Sequence, residues 1–455
     1  MISFLDRTEE LLRIDRLLDS PNGALCCLYG RRRCGKTRLL RECVKNRPNV
    51  LYHVADKSNR SAQIARFVNE AESLNPAFRA ASGGDWGAVL DLWMSLTPNG
   101  SILVFDEFPY LVEQDEALPS ILQRIVDAIQ NLGKKIIICG SSQRMMQGFV
   151  LKASEPLYGR AREILPIAPL DFGWMKSAFP QWTAWDRLKA WGVWGGVPRY
   201  WELQDDEPDL WTAVRRNVCS PLGVLRNEPQ FLLLDDVGDI AQASTVLSFI
   251  GGGAHRASEI AARMARPITD MSRPLQRLTE LGLIARDHPF DEEENGKRSF
   301  YRVSDPFLDF WYAFVQPNWS RPDFLEQPED RRAFDHLYAS HLGGVWERLI
   351  RVEVQSKPLP GFEVRFRNAA RWWGTGLNRR PMEIDVVAES TDRKTLLVGE
   401  AKLTLSPAEA EYARAELEAK AGNLPFAARY ERIVTSLFVA KDPPPDAVSL
   451  DWCEE

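Results

Sequence analysis

Short apolar runs alternate with helical periodicity over the first ~175 residues. ALCCLYG, NVLYHVA, SILVFDEF and KKIIICGSS are almost uninterrupted apolar stretches, the pattern of strands buried on both faces. Strand–helix alternation of this kind predicts a parallel sheet covered by helices on both sides. From Asp171 to about Leu234 a Trp-rich stretch predicts mostly helix, interrupted at Gly195, Gly196 and Pro198. Residues 241 to 303 then read as three helices followed by a hairpin whose tip is DEEENGK, the order of a winged helix-turn-helix. NWSRPDFLEQPEDRR is polar, carries two prolines and reads as a linker. From His336 onward the pattern predicts an amphipathic helix, strands at FEVRFR, EIDVVAES, KTLLVGEAK and IVTSLFVAK, and a helix at PAEAEYARAELEAKAG. No internal repeat or low-complexity tract interrupts this order.

Composition narrows the class. A chain of 455 residues, 45% hydrophobic and 26% charged, is an ordinary globular sequence long enough for about three domains, which excludes disorder and collagen-like structure. Lys plus Arg total 57 against 63 Asp plus Glu, so a net charge of -6 gives no long-range attraction to nucleic acid, and any basic surface must be local. Seven cysteines without regular pairing argue for reduced thiols in a cytoplasm. The first twenty residues carry charges throughout their apolar periodicity, unlike a signal peptide, and no apolar run approaches membrane-spanning length. The expectation is a cytoplasmic protein without a membrane role. Five scattered histidines and no cysteine pairs at ligand spacing leave a zinc enzyme without support.

GRRRCGKT matches G-x-x-x-x-G-K-[ST] between an apolar strand and the helix TRLLRECV, the position a phosphate-binding loop requires. Gly30, Arg31, Arg32, Arg33, Cys34, Gly35, Lys36, Thr37 and the following Arg38 are therefore candidate nucleotide contacts. Backbone N–H groups would wrap the phosphates, Lys36 would reach the β and γ oxygens, and the Thr37 hydroxyl would ligate Mg²⁺. SILVFDEF ends in adjacent carboxylates: Asp106 would hold Mg²⁺ and Glu107 would polarise the attacking water. A solvated strand end is the plain alternative. KKIIIC delivers Ser141 to the same sheet edge, as a γ-phosphate sensor or as a helix cap. Phosphoryl transfer gains from a guanidinium that neutralises developing charge; Arg160 and Arg162 are the first candidates, and Arg199, after the helix break, could reach the phosphates from a lid.

FLDRTEEL, YGRRRCGKTRLL, VFDEFPYL, CGSS, PLYGRA and GGVPRY, in this order, resemble the archaeal-type ATPase family of AAA-like P-loop proteins over roughly the first half of the chain. The resemblance implies ATP and Mg²⁺ as cofactors, Arg7 in the segment near the adenine, Ser141 as sensor 1 and Arg199 as sensor 2. Arg160 acting in trans would imply a homo-oligomer.

In the winged helix-turn-helix, Arg273, Gln276 and Arg277 stand at i, i+3 and i+4 of the third helix and share a face suited to phosphate and base-edge contacts. Between Arg256 and Arg286 six arginines oppose three acids, a local net of +3. Asp291 to Glu294 at the wing tip would repel a DNA backbone, and winged helices also bind proteins, so both partners stay open. Further on, Asp385 is followed fifteen residues later by Glu400, with Lys402 two beyond it on the same strand face. Two acids and a lysine on neighbouring strands suit a divalent cation and a phosphodiester-attacking water, with Glu347 on the preceding helix as a further ligand. The set resembles the PD-(D/E)XK nuclease core. RWWGTG, EIDVV and VGEAK, with DPFLDFWYAFV before them, look like the domain of unknown function 234 that accompanies these ATPases. A salt-bridged, inactive fold is the alternative, and Trp372 and Trp373 read as packing residues, with base stacking on a single strand as their other reading.

The expected organisation is α/β throughout: residues 1–235 a P-loop parallel sheet with helical lid, 236–318 the winged helix-turn-helix, 319–334 the linker and 335–455 an α/β restriction-endonuclease-like domain. The expected function is ATP hydrolysis coupled to DNA binding and metal-dependent DNA cleavage; the alternative is a signalling-type nucleotide switch whose C-terminal domains bind a partner protein.

Overall fold

The computed structural model describes all residues except 1, 3, 82, 235, 236, 238, 293–297, 322, 327 and 455. The four apolar runs form β1 (Ala24–Tyr29), β2 (Val50–Val54), β3 (Ile102–Asp106) and β4 (Lys135–Gly140), which run parallel in the order β2-β3-β4-β1. A fifth parallel strand, β5 (Ala161–Pro166), pairs with β1 at the edge. Sequence reading did not find it, because it is paired on one side only and Leu165 is its single buried residue.

Strand alternation sorts the side chains to two faces. Ala24, Cys26 and Leu28 of β1 meet Ile14 and Leu17 of α1 (Thr8–Asp19) and Leu39 and Leu40 of α2 (Lys36–Val44). Leu25, Cys27 and Tyr29 belong to the opposite cluster, with α3 (Arg60–Glu72), α4 (Trp86–Leu96), α5 (Phe108–Gln114), α6 (Leu118–Ala128) and α7 (Gln143–Leu151). All seven cysteines are buried and unpaired, and no described helix is long and apolar enough to cross a membrane.

The Trp-rich segment folds into α8 (Trp174–Ala178), α9 (Ala184–Trp194), α10 (Pro198–Asp205), α11 (Leu210–Val214) and α12 (Glu228–Leu234), with the break at Gly195 and Pro198 opening α10. Next come α13 (Ile240–Gly251), α14 (Ala257–Arg263), α15 (Ser272–Glu280) and an antiparallel hairpin of β6 (Ile284–Asp287) and β7 (Phe300–Val303). Of its expected acidic tip, Glu293 and Glu294 lie outside the described residues. Asp291 pairs with Arg429, Glu292 pairs with Arg298, and Phe290 N–H donates to Arg371 O at 2.8 Å, so the base of the hairpin is docked on the C-terminal sheet.

A short α16 (Pro306–Phe310) leads to α17 (Pro328–Ser356). The expected linker is thus partly helical: residues 328–334 belong to α17, where Phe334 is buried against Phe310 and Phe314. The C-terminal sheet is ordered β12-β11-β10-β9-β8, from β8 (Phe366–Thr375), β9 (Pro381–Ser390), β10 (Thr395–Lys402), β11 (Arg432–Val439) and β12 (Val448–Ser449), with α18 (Pro407–Gly422) between β10 and β11. The strand expected at FEVRFR lies later, over FRNAARWWGT, because both tryptophans find cover there: Trp372 against Phe426, and Trp373 stacked on Phe300 at 4.8 Å. Both are packing residues.

The apolar core divides at about residue 170. One continuous cluster runs from Leu170 to Cys453, joining α8–α12 to α13–α17 and one face of the C-terminal sheet. A buried ion pair, Arg187 Nη2 to Glu454 Oε2 at 2.6 Å, fastens the end of the chain to α9.

Candidate functional site

The phosphate loop spans the turn between β1 and α2. Gly35 caps α2 at φ 87°, a left-handed conformation that favours glycine, and a Cβ on Gly30 would stand 2.2 Å from Ile167 O, so both positions require glycine. Lys36 is 5% exposed, and its Nζ donates to Gly30 O at 2.7 Å and Arg31 O at 3.0 Å. An ammonium held only by the loop's own carbonyls is positioned to turn to a phosphate. Thr37 Oγ1 donates to Asp106 Oδ2 at 2.7 Å, which brings the two expected Mg²⁺ ligands together. The residues fit the metal: a hydroxyl and a buried carboxylate beside a loop of N–H donors. Tyr52, not anticipated from sequence, donates its hydroxyl to the same Asp106 oxygen at 2.9 Å.

Glu107 adopts φ 58° immediately after β3. Its Oε2 accepts from Ser141 N at 3.2 Å and Ser141 Oγ at 3.1 Å. Ser141 therefore holds the Glu107 carboxylate, and the helix-capping role falls to the adjacent Ser142, which accepts from Met145 N.

The arginines of the loop each tie it to another element. Arg31 pairs with Asp305 and donates to Tyr200 Oη at 3.0 Å; Arg32 donates to Tyr110 Oη at 2.8 Å; Arg33 pairs with Glu228 at 2.9 Å. Tyr200 in turn donates to Glu228 at 2.9 Å. Burial raises the Glu228 carboxyl above its ordinary range, against the pull of Arg33. Tyr200 and Asp305 lie in the stretches GGVPRY and DPFLDFWYAFV and Glu228 in none, but nothing in their spacing points to the loop, so only three-dimensional contact reveals their role. Arg7 donates to Cys34 O at 3.2 Å and to Ala168 O at 2.6 Å, pinning the loop to the segment after β5. Beside it Ile2, Phe4, Leu5, Leu170, Pro198 and Trp201 line a small, mostly apolar recess of about 30 Å³. Arg199 is half exposed and pairs with Glu202 at 2.8 Å, which also meets Arg38 at 3.5 Å. Arg160 is engaged by Asp127 at 2.9 Å on the outer side of α6, and Arg162 is exposed on β5.

On the face of α15, Arg273 and Gln276 are exposed and Arg277 half-buried. Glu280 engages two of the three, accepting from Gln276 Nε2 at 2.9 Å and lying 3.6 Å from Arg277.

In the C-terminal sheet, β9 and β10 pair with Val386 opposite Gly399, which brings the adjoining Asp385 and Glu400 side by side. Lys402 Nζ donates to Glu400 Oε1 at 2.6 Å and lies 3.9 Å from Asp385 Oδ2. Glu400 Oε2 accepts from Lys420 Nζ of α18 at 3.3 Å. Arg351 Nη1 donates to Asp385 O at 2.7 Å and lies 3.7 Å from Glu347. Burial, with Glu347 and Glu400 nearby, raises the Asp385 carboxyl to about 6. The four expected residues thus converge, joined by Lys420 and Arg351, which have no motif spacing. Among the described residues no group of three or more His, Cys, Asp or Glu side chains is set to hold a metal ion, since the lysines occupy the Glu400 oxygens.

Comparison with known proteins completes this picture. Residues 4–203 match the ATPase domain found predominantly in Archaea, and residues 311–413 match domain 234, archaeal and bacterial proteins of unknown function. An uncharacterized protein of Methanocaldococcus jannaschii is 31% identical over 399 residues, 87% of this chain and 86% of that one. The chain belongs to this archaeal-type ATPase family. ATP hydrolysis is the activity of its N-terminal domain. Among solved structures, a Walker-type ATPase of Pyrococcus abyssi is 21% identical and covers 68% of this chain and 96% of its own, with a TM-score of 0.49. The ORC2 protein of Aeropyrum pernix is 16% identical, with 70% and 95% covered and a TM-score of 0.47.

Proposed function

We propose that the ATPase couples its nucleotide state to DNA bound by a winged helix at 236–318 and cleaved by a nuclease-like domain at 335–455. When bound, Mg²⁺ would neutralise charge on the β and γ oxygens, held by Thr37 and Asp106. Lys36 would bind the phosphates. Glu107 would orient the attacking water once Ser141 exchanges its carboxylate for the γ-phosphate, and Arg160 of a second copy would complete the site. Arg199 would approach as the lid closes, and the recess beside Arg7 would open for the adenine.

The observation that carries the cleavage reading is the convergence of Asp385, Glu400 and Lys402 on one sheet edge. It is supported by the element order: a helix, three antiparallel strands, a helix and a strand parallel to β10. As the side chains stand, Lys402 and Lys420 take both Glu400 oxygens; a divalent cation would have to displace them before Asp385 and Glu400, with Glu347 nearby, could hold it, and Lys402 would then orient the water. DNA contact would come through Arg273, Gln276 and Arg277. Mg²⁺- or Mn²⁺-dependent cleavage of DNA, read on a gel with and without ATP, tests the reading; cleavage undiminished by Asp385→Ala with Lys402→Ala refutes it. The alternative of a nucleotide switch binding a protein partner is favoured by the two lysines on Glu400, and would show ATP hydrolysis with no cleavage.

A further inference from the structure

The loop arginine Arg31 begins a chain of charged contacts that the proposed activities do not use. Asp305, 9% exposed, gives one carboxylate oxygen to Arg31 and the other to the N–H of Leu308, capping α16. One turn on, Asp309 N–H donates to Asp305 O at 2.9 Å, and the Asp309 side chain accepts from Arg348 of α17 at 3.1 Å. Arg348 is partly buried, and burial pulls its guanidinium below the ordinary range against Asp309. Arg351, three residues along the same helix, donates to Asp385 O at 2.7 Å. Two short rigid pieces of helix thus connect the phosphate loop to the backbone of β9.

The first contact has two competing partners. A nucleotide brings several negative charges to the loop that carries Arg31, while Asp305 offers one. If Arg31 turns to the phosphates, Asp305 is left buried with one oxygen unpaired, a state that costs more than the lost bond. Shifting α16 toward water relieves it. Because α16 also holds Arg348, that shift is passed to α17 and to β9. We propose that Arg31, α16 and α17 form a relay by which ATP binding loosens the Asp385–Glu400–Lys402 site. The relay regulates the site assigned above and in that sense rests on its assignment, but its existence requires neither metal nor cleavage.

Amide hydrogen exchange tests it on the full-length protein carrying Glu107→Gln, which keeps ATP intact. Exchange in α16, β9 and β10 should speed up about fivefold or more when ATP saturates the protein. Asp309→Asn and Arg348→Gln should keep the ATP response of α16 and lose that of β9 and β10. Introduced without Glu107→Gln, each should hydrolyse ATP at the parent rate, which reports an intact fold; the isosteric Asp309→Asn carries the test if Arg348→Gln misfolds. Exchange in β9 and β10 that ignores ATP, or an ATP response undiminished in the folded variants, overturns the relay. A relay that responds in a protein without cleavage refutes only the nuclease reading.

Discussion

Replacing Asp305 by Asn separates a coupling contact from a merely structural one. Asn retains the oxygen that caps α16 through Leu308 N–H, so the local helix is preserved, but the carboxylate charge facing Arg31 is gone. Without nucleotide, Arg31 then keeps Tyr200 Oη, at 3.0 Å, as its only side-chain hydrogen-bond partner among the described residues. Breaking a buried ion pair from one side costs up to about 3–5 kcal/mol, so the nucleotide-free protein should unfold at lower temperature. ATP should do the opposite of what damage would cause. Its phosphates no longer compete with a carboxylate for Arg31, and a hydrogen bond to a charged group contributes about 1.5–3 kcal/mol, so ATP should bind roughly 10- to 150-fold more tightly. Titration with a fluorescent ATP analogue gives the affinity, and thermal unfolding with and without ATP should show a larger nucleotide-induced rise than in the parent. Affinity equal to or weaker than that of the parent would refute the argument that Asp305 and phosphate compete.

Lys36→Ala should abolish ATP binding and hydrolysis together, measured by the same titration and by phosphate release, because no other described side chain donates to the loop carbonyls that Lys36 now satisfies. Ser141→Ala should lower kcat by about 10²-fold with little change in ATP affinity, since it removes the hydroxyl that holds Glu107, leaving only the backbone N–H, without touching Lys36 or Thr37. If α15 meets DNA, affinity should fall steeply with salt, the slope should flatten in Arg273→Ala with Arg277→Ala, and Glu280→Gln should strengthen binding by removing the acid that engages Gln276 and Arg277. Lys134 is 1% exposed, its Nζ donates to Thr97 O at 2.7 Å, and burial lowers its ammonium to about 8. A base with a depressed folded value contributes stability that is present above its unfolded value near 10.5 and is lost as pH falls through about 8. The stability difference between parent and Lys134→Met, read from urea unfolding, should therefore shift in favour of the parent from pH 7.5 to 10; a difference independent of pH refutes it.

The parts legible in the sequence are those whose residues answer to local rules. Buried parallel strands announce themselves as apolar runs, and the loop from Gly30 to Thr37 is read from a spacing that only one backbone path satisfies. Edge positions were not legible: β5 is half solvated and carries Arg162 and Glu163, so its composition is that of a loop. The position of β8 is not legible either, because Trp372 and Trp373 are covered from different elements, Phe426 and Phe300, far along the chain. The partners of the loop arginines were hidden for the same reason. Asp305 reads locally as a helix cap and Glu228 as a solvated first-turn acid, and only the fold turns both toward the phosphate loop.

The seam between the two halves adds ion pairs to the apolar contacts that Ile2 and Leu5 make with the C-terminal core. Within each half the elements are held by apolar contact: two clusters flank the first sheet, and a third unites α8–α12 with α13–α17 and the C-terminal sheet. Around the phosphate loop and α2, ion pairs join the halves: Arg31 to Asp305, Arg33 to Glu228 and Arg38 to Glu202. Apolar contacts would be indifferent to a phosphate charge nearby, whereas charge pairs are reset by it. Loss of a γ-phosphate therefore acts where the free energy of association is most sensitive to it. Because α8–α12 share one core with α13–α17 and one face of the C-terminal sheet, a response in α8–α12 is expected to reach those elements too. Nucleotide turnover is therefore expected to move α8–α12 and the C-terminal elements together.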